Sequence, residues 1–220
     1  MTREEVKARI EQIGIFPGIR VDSADHALYC AETLYAAGIP VAEITMTVPG
    51  AIDVINQLTQ KFPDMVVGAG TVLDKETAER CLDAGARFLT STGLITEVIG
   101  SALKRGVVVI PGALTPTEVI AAWKAGADYV KIYPTAAMGG ELYIRSLNLP
   151  LPQVPLIAAG GVNQQNAIGY ILAGATGLGV GMELLPMEAV RRNQNHRIFE
   201  LARRFLAIVK EGRQMRNASE

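Results

Sequence analysis

The chain is short of most of the residues that dedicated chemistry needs. It has only two histidines and two cysteines in 220 residues, and the cysteines, Cys30 and Cys81, share no Cys-x-x-Cys spacing. A disulfide framework and a thiolate zinc site are excluded by that scarcity, and a reducing compartment, by default the cytoplasm, is expected. His26 and His196 fall in helical stretches away from the ends of apolar strands, so they make a poor start for a carboxylate–imidazole metal cluster. There is no Gly-x-Ser-x-Gly, the elbow of a serine hydrolase.

Charge of one sign is also lacking. Twenty-one Lys and Arg against 22 Asp and Glu leave a formal net charge of -1. A chain without basic surplus is poorly equipped to neutralise phosphates along a nucleic acid, so no nucleic-acid partner is expected. No apolar run approaches the ~18 residues that a membrane span requires, and Met1-Thr2-Arg3-Glu4-Glu5 is too polar for a signal peptide. What is plentiful is hydrophobic residues, at 49%, enough for one large core.

Those residues come as short apolar strands alternating with helices. Thr2 and Glu5 form a capping box opening an N-terminal helix to about Ile13. The strand readings are Gly14–Val21, Ile39–Thr45, Met65–Gly70, Arg87–Thr90, Val107–Ile110, Ala127–Pro134, Pro155–Ala158 and Ala175–Val180. Between them, helices start at Asp22/Ser23, Pro49, Asp74, Leu94, Thr115-Pro116-Thr117-Glu118, Gly139-Gly140 and Asn163, and several stop at Gly38, Gly85, Gly106, Gly126 and Gly174. A final helix is expected from about Glu188 to Lys210, with a frayed polar tail after it.

Several of these glycine stops lie about 20 residues apart, and each is followed at once by an apolar strand, which describes a repeated strand–helix unit. Eight such units in one chain predict a single (β/α)8 barrel domain over residues 1–220 with an extra N-terminal helix. An open dinucleotide-binding sheet would want Gly-x-Gly-x-x-Gly after the first strand, where this chain has Asp22-Ser23-Ala24-Asp25.

A barrel keeps its active site at the C-terminal ends of its strands. The strand Ala127-Asp128-Tyr129-Val130-Lys131-Ile132-Tyr133-Pro134 carries a lysine in its middle. Burying an ammonium costs several kcal/mol, so Lys131 needs a partner or a chemical task unless it merely lies at the strand end and reaches water. By strand alternation, an inward Lys131 turns Tyr129 and Tyr133 inward and leaves Val130 and Ile132 against the helices. Strand two behaves alike: with Glu43 inward, Thr45 and Thr47 follow, and Ala42, Ile44 and Met46 pack outward. An inward amine and carboxylate are either a structural ion pair or an imine-forming nucleophile with its acid/base. Amines taken out of water lose protons more readily, and a carboxylate nearby opposes that.

Six pieces carry a resemblance beyond spacing: Ala42-Glu43-Ile44-Thr45-Met46-Thr47, Val67-Gly68-Ala69-Gly70-Thr71-Val72, Ile110-Pro111-Gly112, Thr115-Pro116-Thr117-Glu118, Val130-Lys131-Ile132-Tyr133-Pro134 and Ala159-Gly160-Gly161-Val162. In this order and spacing the chain resembles, along nearly its whole length, the 2-keto-3-deoxy-6-phosphogluconate (KDPG) / 4-hydroxy-2-oxoglutarate (KHG) aldolase family. The resemblance implies a class I aldolase without metal or other cofactor, acting on a 2-keto acid and releasing pyruvate. It implies Lys131 as the imine-forming residue, Glu43 as acid/base and a homotrimeric assembly. It further implies substrate contacts at Thr71, Pro111, Tyr133, Gly160, Gly161 and Gly181. Where many members carry an arginine, this chain has Thr47; other members with that Thr-Val-Pro have an arginine at the end of strand one, and Arg20 matches them. A guanidinium suits a carboxylate clamp.

At the far end of the substrate the chain departs from the family pattern. Gly160-Gly161 and Gly179-Val180-Gly181 supply backbone amides of the kind that bind phosphate in barrels. Yet a family threonine is Ala159 here, and a family serine is Met182, followed by Glu183. A phosphorylated substrate and an unphosphorylated one both stand open. So do two rival readings, a phosphate-binding barrel isomerase and a binding homologue without turnover.

Overall fold

The computed structural model describes residues 1–218. Its elements run α1 (Arg3–Ile13), β1 (Ile15–Ile19), α2 (Ala24–Ala36), β2 (Val41–Thr45), α3 (Ala51–Lys61), β3 (Val66–Gly70), α4 (Lys75–Asp83), β4 (Phe88–Thr90) and α5 (Thr96–Lys104). There follow β5 (Val108–Ile110), β6 (Gly112–Ala113), α6 (Pro116–Lys124), β7 (Val130–Ile132), α7 (Glu141–Asn148), β8 (Leu156–Ala159), α8 (Ala167–Leu172), β9 (Gly177–Val180), α9 (Met187–Arg191) and α10 (Asn195–Asn217).

All the strand pairings are parallel, in the order β5-β4-β3-β2-β1-β9-β8-β7-β6. The two ends of that list are halves of one stave, interrupted at Pro111, which has no N–H to give a ladder. Backbone bonds from Asp128 N to Val109 O (3.0 Å), Lys131 N to Pro111 O (2.9 Å) and Tyr133 N to Ala113 O (3.1 Å) close the ring. This is the expected eight-staved barrel with its extra helix.

The interior is layered as strand alternation requires. At the base, the Phe16 ring meets Phe88 edge-on at 6.0 Å between centroids and Tyr129 at 6.4 Å. A Cβ on Gly68 would fall within 2.5 Å of the Phe88 ring, so that position must be glycine for the base to fill. Helix α1 caps this end. Val6 and Ile10 are buried, Arg3 grips the buried Asp128 with two nitrogens, and the Tyr129 hydroxyl donates to Glu11 at 2.7 Å. The strand that carries Lys131 is thus fastened to α1 at its lower end.

Several expectations are corrected at element ends. Helix α2 is capped by the Ser23 hydroxyl alone; Asp22 binds His26 and Arg191 instead. Pro49 does not open α3, which begins at Ala51 after a left-handed Gly50. Asn163 takes the amides of Gln165 and Asn166 in a preceding turn, and α8 starts only at Ala167. The expected final helix is two: Asn193, in a left-handed conformation, separates α9 from α10. Nor does the chain fray after Lys210. Helix α10 runs on to Asn217, because Gly212 is buried against Ile171 of α8 and Arg213 donates to the α1 carbonyls of Gln12 and Glu11. The tail beyond residue 218 lies outside the described residues.

Candidate active site

Above the aromatic base lies the lysine. Lys131 Nζ stands 3.6 Å from Glu43 Oε1, with side-chain exposures of 15% and 7%. The amine is inside the barrel, not strung out to the rim, which disposes of the reading that it only reaches for water. The pair is drawn from opposed parts of the sheet, β7 and β2, so the closure of the barrel brings them together. Strand parity holds on both: Tyr129 is inward with Lys131, and the Nζ sits 5.9 Å from the centroid of the Tyr133 ring. Ala42 and Ile44 are buried on the helix side of β2.

The carboxylate has its place because β3 has no side chain there. A Cβ on Gly70 would lie 2.5 Å from Glu43 Cγ and 2.6 Å from its Cδ. Gly70 was visible in the sequence only as a glycine in a strand, a weak sign of close backbone approach. What approaches is the acid itself.

At the rim, Arg20 donates from Nη1 to Thr47 Oγ1 (2.9 Å) and from Nη2 to Thr71 Oγ1 (3.1 Å). Thr47 in turn contacts the buried Thr45 at 2.8 Å, and Thr45 donates to the Ile19 carbonyl. The ends of β1, β2 and β3 are thereby tied into one polar cluster. Thr71 has φ +59, a left-handed conformation that is an outlier for a β-branched residue. Backbone strain of this kind collects at functional sites. Arg20 thus holds both hydroxyls at the barrel mouth.

On the other side of the mouth, Tyr133-Pro134 is a cis peptide. Gly160 and Gly161 are both left-handed: a Cβ on Gly160 would come to 3.0 Å from Pro134 Cα and the Tyr133 ring, and one on Gly161 would meet the Ala136 Cβ. Gly181, beside the end of β9, would bring a Cβ no nearer than 3.9 Å to its neighbours. Met182 is 75% exposed, Glu183 is exposed, and Ala159 is buried. Between Lys131 and Arg191 the only cationic residue is Arg145, on α7. Pro111 sits where the stave breaks, its carbonyl accepting from the Lys131 amide.

His26 and His196 lie on α2 and α10, the first beside Asp22, which precedes the cap of α2, and the second beside Glu200 on its own helix. Burial pushes the Cys30 thiol up to about 12 and the Cys81 thiol up to about 11, as inert core residues require.

A (β/α)8 barrel that holds an amine and a carboxylate in contact beneath its mouth has the equipment of an imine-forming, class I aldolase. The comparisons agree with that class: the chain belongs to the KDPG and KHG aldolase family, whose model matches residues 6–201. It is 30% identical to the 2-dehydro-3-deoxy-phosphogluconate aldolase of Pseudoalteromonas atlantica, over 88% of this chain and 90% of that protein. With the KHG/KDPG aldolase of Escherichia coli K12 the identity is 31%, over 86% and 89%. A crystal structure of the Legionella pneumophila KDPG aldolase, with pyruvate captured as a covalent carbinolamine, superposes with a TM-score of 0.84. That match has 32% identity and covers 90% of this chain and 96% of that one.

Proposed function

We propose that the protein cleaves a 2-keto-3-deoxy acid to pyruvate and an aldehyde, with Lys131 as the imine-forming residue and Glu43 as the acid/base. The contact between Lys131 Nζ and Glu43 Oε1 inside the barrel carries the assignment. Neutral Lys131 adds to the C2 ketone, giving a carbinolamine whose hydroxyl takes a proton from Glu43 and leaves as water. Glu43, now a carboxylate, removes the proton of the C4 hydroxyl. The C3–C4 bond breaks, its electrons pass into the protonated imine, and the aldehyde departs. Protonation of the enamine at C3 and addition of water at C2 release pyruvate and restore the amine. Arg20, held by Thr47 and Thr71, is the clamp for the substrate carboxylate. Pro111, Tyr133, Gly160, Gly161 and Gly181 line the remaining mouth of the site.

For the aldehyde half, a substrate without phosphate is the reading that the residues favour. Ala159 and Met182 bring no hydroxyl there, the glycines offer only backbone amides, and Glu183 stands close in sequence. A 4-hydroxy-2-oxoglutarate-like or unphosphorylated sugar acid fits such a site. The family resemblance supports a homotrimer, and the two free buried cysteines support a cytoplasmic location. Among the described residues, no helix is long and apolar enough to cross a membrane.

Incubation with pyruvate and borohydride tests the chemistry. One reduced pyruvyl adduct per chain, mapped to Lys131 and lost in Lys131→Ala, is expected; no adduct on the unaltered chain refutes the aldolase reading. Paired assays with phosphorylated and unphosphorylated acids test the second part. A preference for phosphate of about 100-fold in kcat/KM, about 2.7 kcal/mol, would overturn it.

A further inference from the structure

Thr90, the last residue of β4, is 1% exposed, and its hydroxyl finds no hydrogen-bond partner among the described residues. Buried hydroxyls are nearly always paired, and where nothing pairs with one a valine of the same shape is the more stable choice. Two other hydroxyls share this condition, on Tyr29 and Ser101, but both belong to the outer helices α2 and α5. Thr90 belongs to the barrel interior. Phe88, two residues earlier, is in the aromatic base, so alternation turns Leu89 to the helices and Thr90 inward, one layer above Phe88.

Its neighbours in that layer are informative. Ala69 pairs with Leu89, which sets Gly70 alongside Thr90, and Ile110 pairs with Thr90 on the other side. Ile110 brings no polar group. Gly70 brings no side chain, and over it lies the Glu43 carboxylate. The hydroxyl therefore stands one strand away from the carboxylate, with no β3 side chain between them. Adjacent strands lie about 4.8 Å apart, a gap that suits one shared oxygen atom.

We propose that Thr90 is a further catalytic residue, hydrogen-bonded to the oxygen that exchanges a proton with Glu43. The proposal rests on the imine mechanism above. In carbinolamine breakdown, that oxygen is the C2 hydroxyl; Glu43 protonates it, the C2–O bond breaks as the nitrogen lone pair forms the imine, and Thr90 holds the departing water. In product release the same water gives a proton to Glu43 as its oxygen bonds to C2 of the pyruvyl imine. Thr90 gains and loses no proton overall; it fixes where the oxygen sits.

Thr90→Val and Thr90→Ser separate the hydroxyl from the methyl. The measurement is the rate of adduct formation with pyruvate, quenched with borohydride at successive times, beside kcat and Tm. The expected result for Thr90→Val is a 10- to 100-fold slower adduct and a similar fall in kcat, with Tm equal to or above that of the unaltered chain. Thr90→Ser should recover to within about 3-fold, because it restores the hydrogen bond. A Thr90→Val chain as fast as the unaltered one, or a Thr90→Ser chain as slow as Thr90→Val, would overturn the assignment. Failure of the unaltered chain to form any adduct would instead remove the aldolase reading, whatever Thr90 does.

Discussion

Gly70→Ala changes one hydrogen to a methyl and should disable the site while leaving its functional groups untouched. The backbone at Gly70 is ordinary strand, hydrogen-bonded in register with Thr45, so alanine is tolerated there on conformational grounds. By itself that replacement would stabilise the chain by about 0.4–1 kcal/mol, through a less flexible unfolded state. The new Cβ, however, would stand 2.5 Å from Glu43 Cγ and 2.6 Å from Cδ. Non-bonded carbons settle at about 3.5 Å or more, so the carboxylate must retreat by about 1 Å. Any retreat alters its 3.6 Å approach to Lys131. A misplacement of that size costs catalysis about 100-fold, or about 2.7 kcal/mol of transition-state stabilisation. Overpacking costs about 1–3 kcal/mol of stability, most of which the gain in chain stiffness does not offset. Gly68→Ala is the matched control: its Cβ meets the Phe88 ring in the base, so it should lower Tm with far less effect on turnover. Pyruvate release from a 2-keto-3-deoxy acid, followed by coupled reduction, reads kcat for both. A Gly70→Ala chain within about 3-fold of normal kcat would refute the packing argument.

Arg20→Lys keeps the charge but loses the fork that spans Thr47 and Thr71, so KM for the keto acid should rise about 10-fold with kcat little changed. An unaltered KM would take Arg20 out of the clamp. Tyr129 is held well above the usual phenol range by burial and then by the Glu11 carboxylate. A raised group contributes stability below its unfolded value, here 10.0, and loses it as the pH climbs past that point. Urea midpoints should therefore fall above pH 10 more steeply in the unaltered chain than in Tyr129→Phe, which should cost about 1 kcal/mol at neutral pH. Equal alkaline slopes would remove Tyr129 as the cause. Cys30 and Cys81, raised to about 12 and about 11 by burial, should resist a disulfide reagent at pH 8 until the chain is unfolded; labelling of the native protein would contradict their burial.

How much of this was written in the chain follows from the range of each signal. Periodicity, caps and glycine stops act over a few residues, so the strand–helix alternation, the capping boxes at Thr2 and Thr115 and the barrel itself were legible. Alternation along a strand also told which side of β7 and β2 faces inward, and hence that Lys131 and Glu43 were candidates for one space. Local rules failed where distant packing decides. Helix α10 continues past Lys210 because α1 and α8 receive it, and the break at Asn193 has no strong local signature. The same limit hid the rest of the site. Nothing near Gly70 says that an acid 27 positions earlier occupies its missing side chain, and nothing near Thr90 says that its hydroxyl is alone. Sequence determined which residue types the barrel could turn inward. Only closure of the ring, which sets residues far apart in the chain within a few ångströms, decided which of them meet and which are left without a partner.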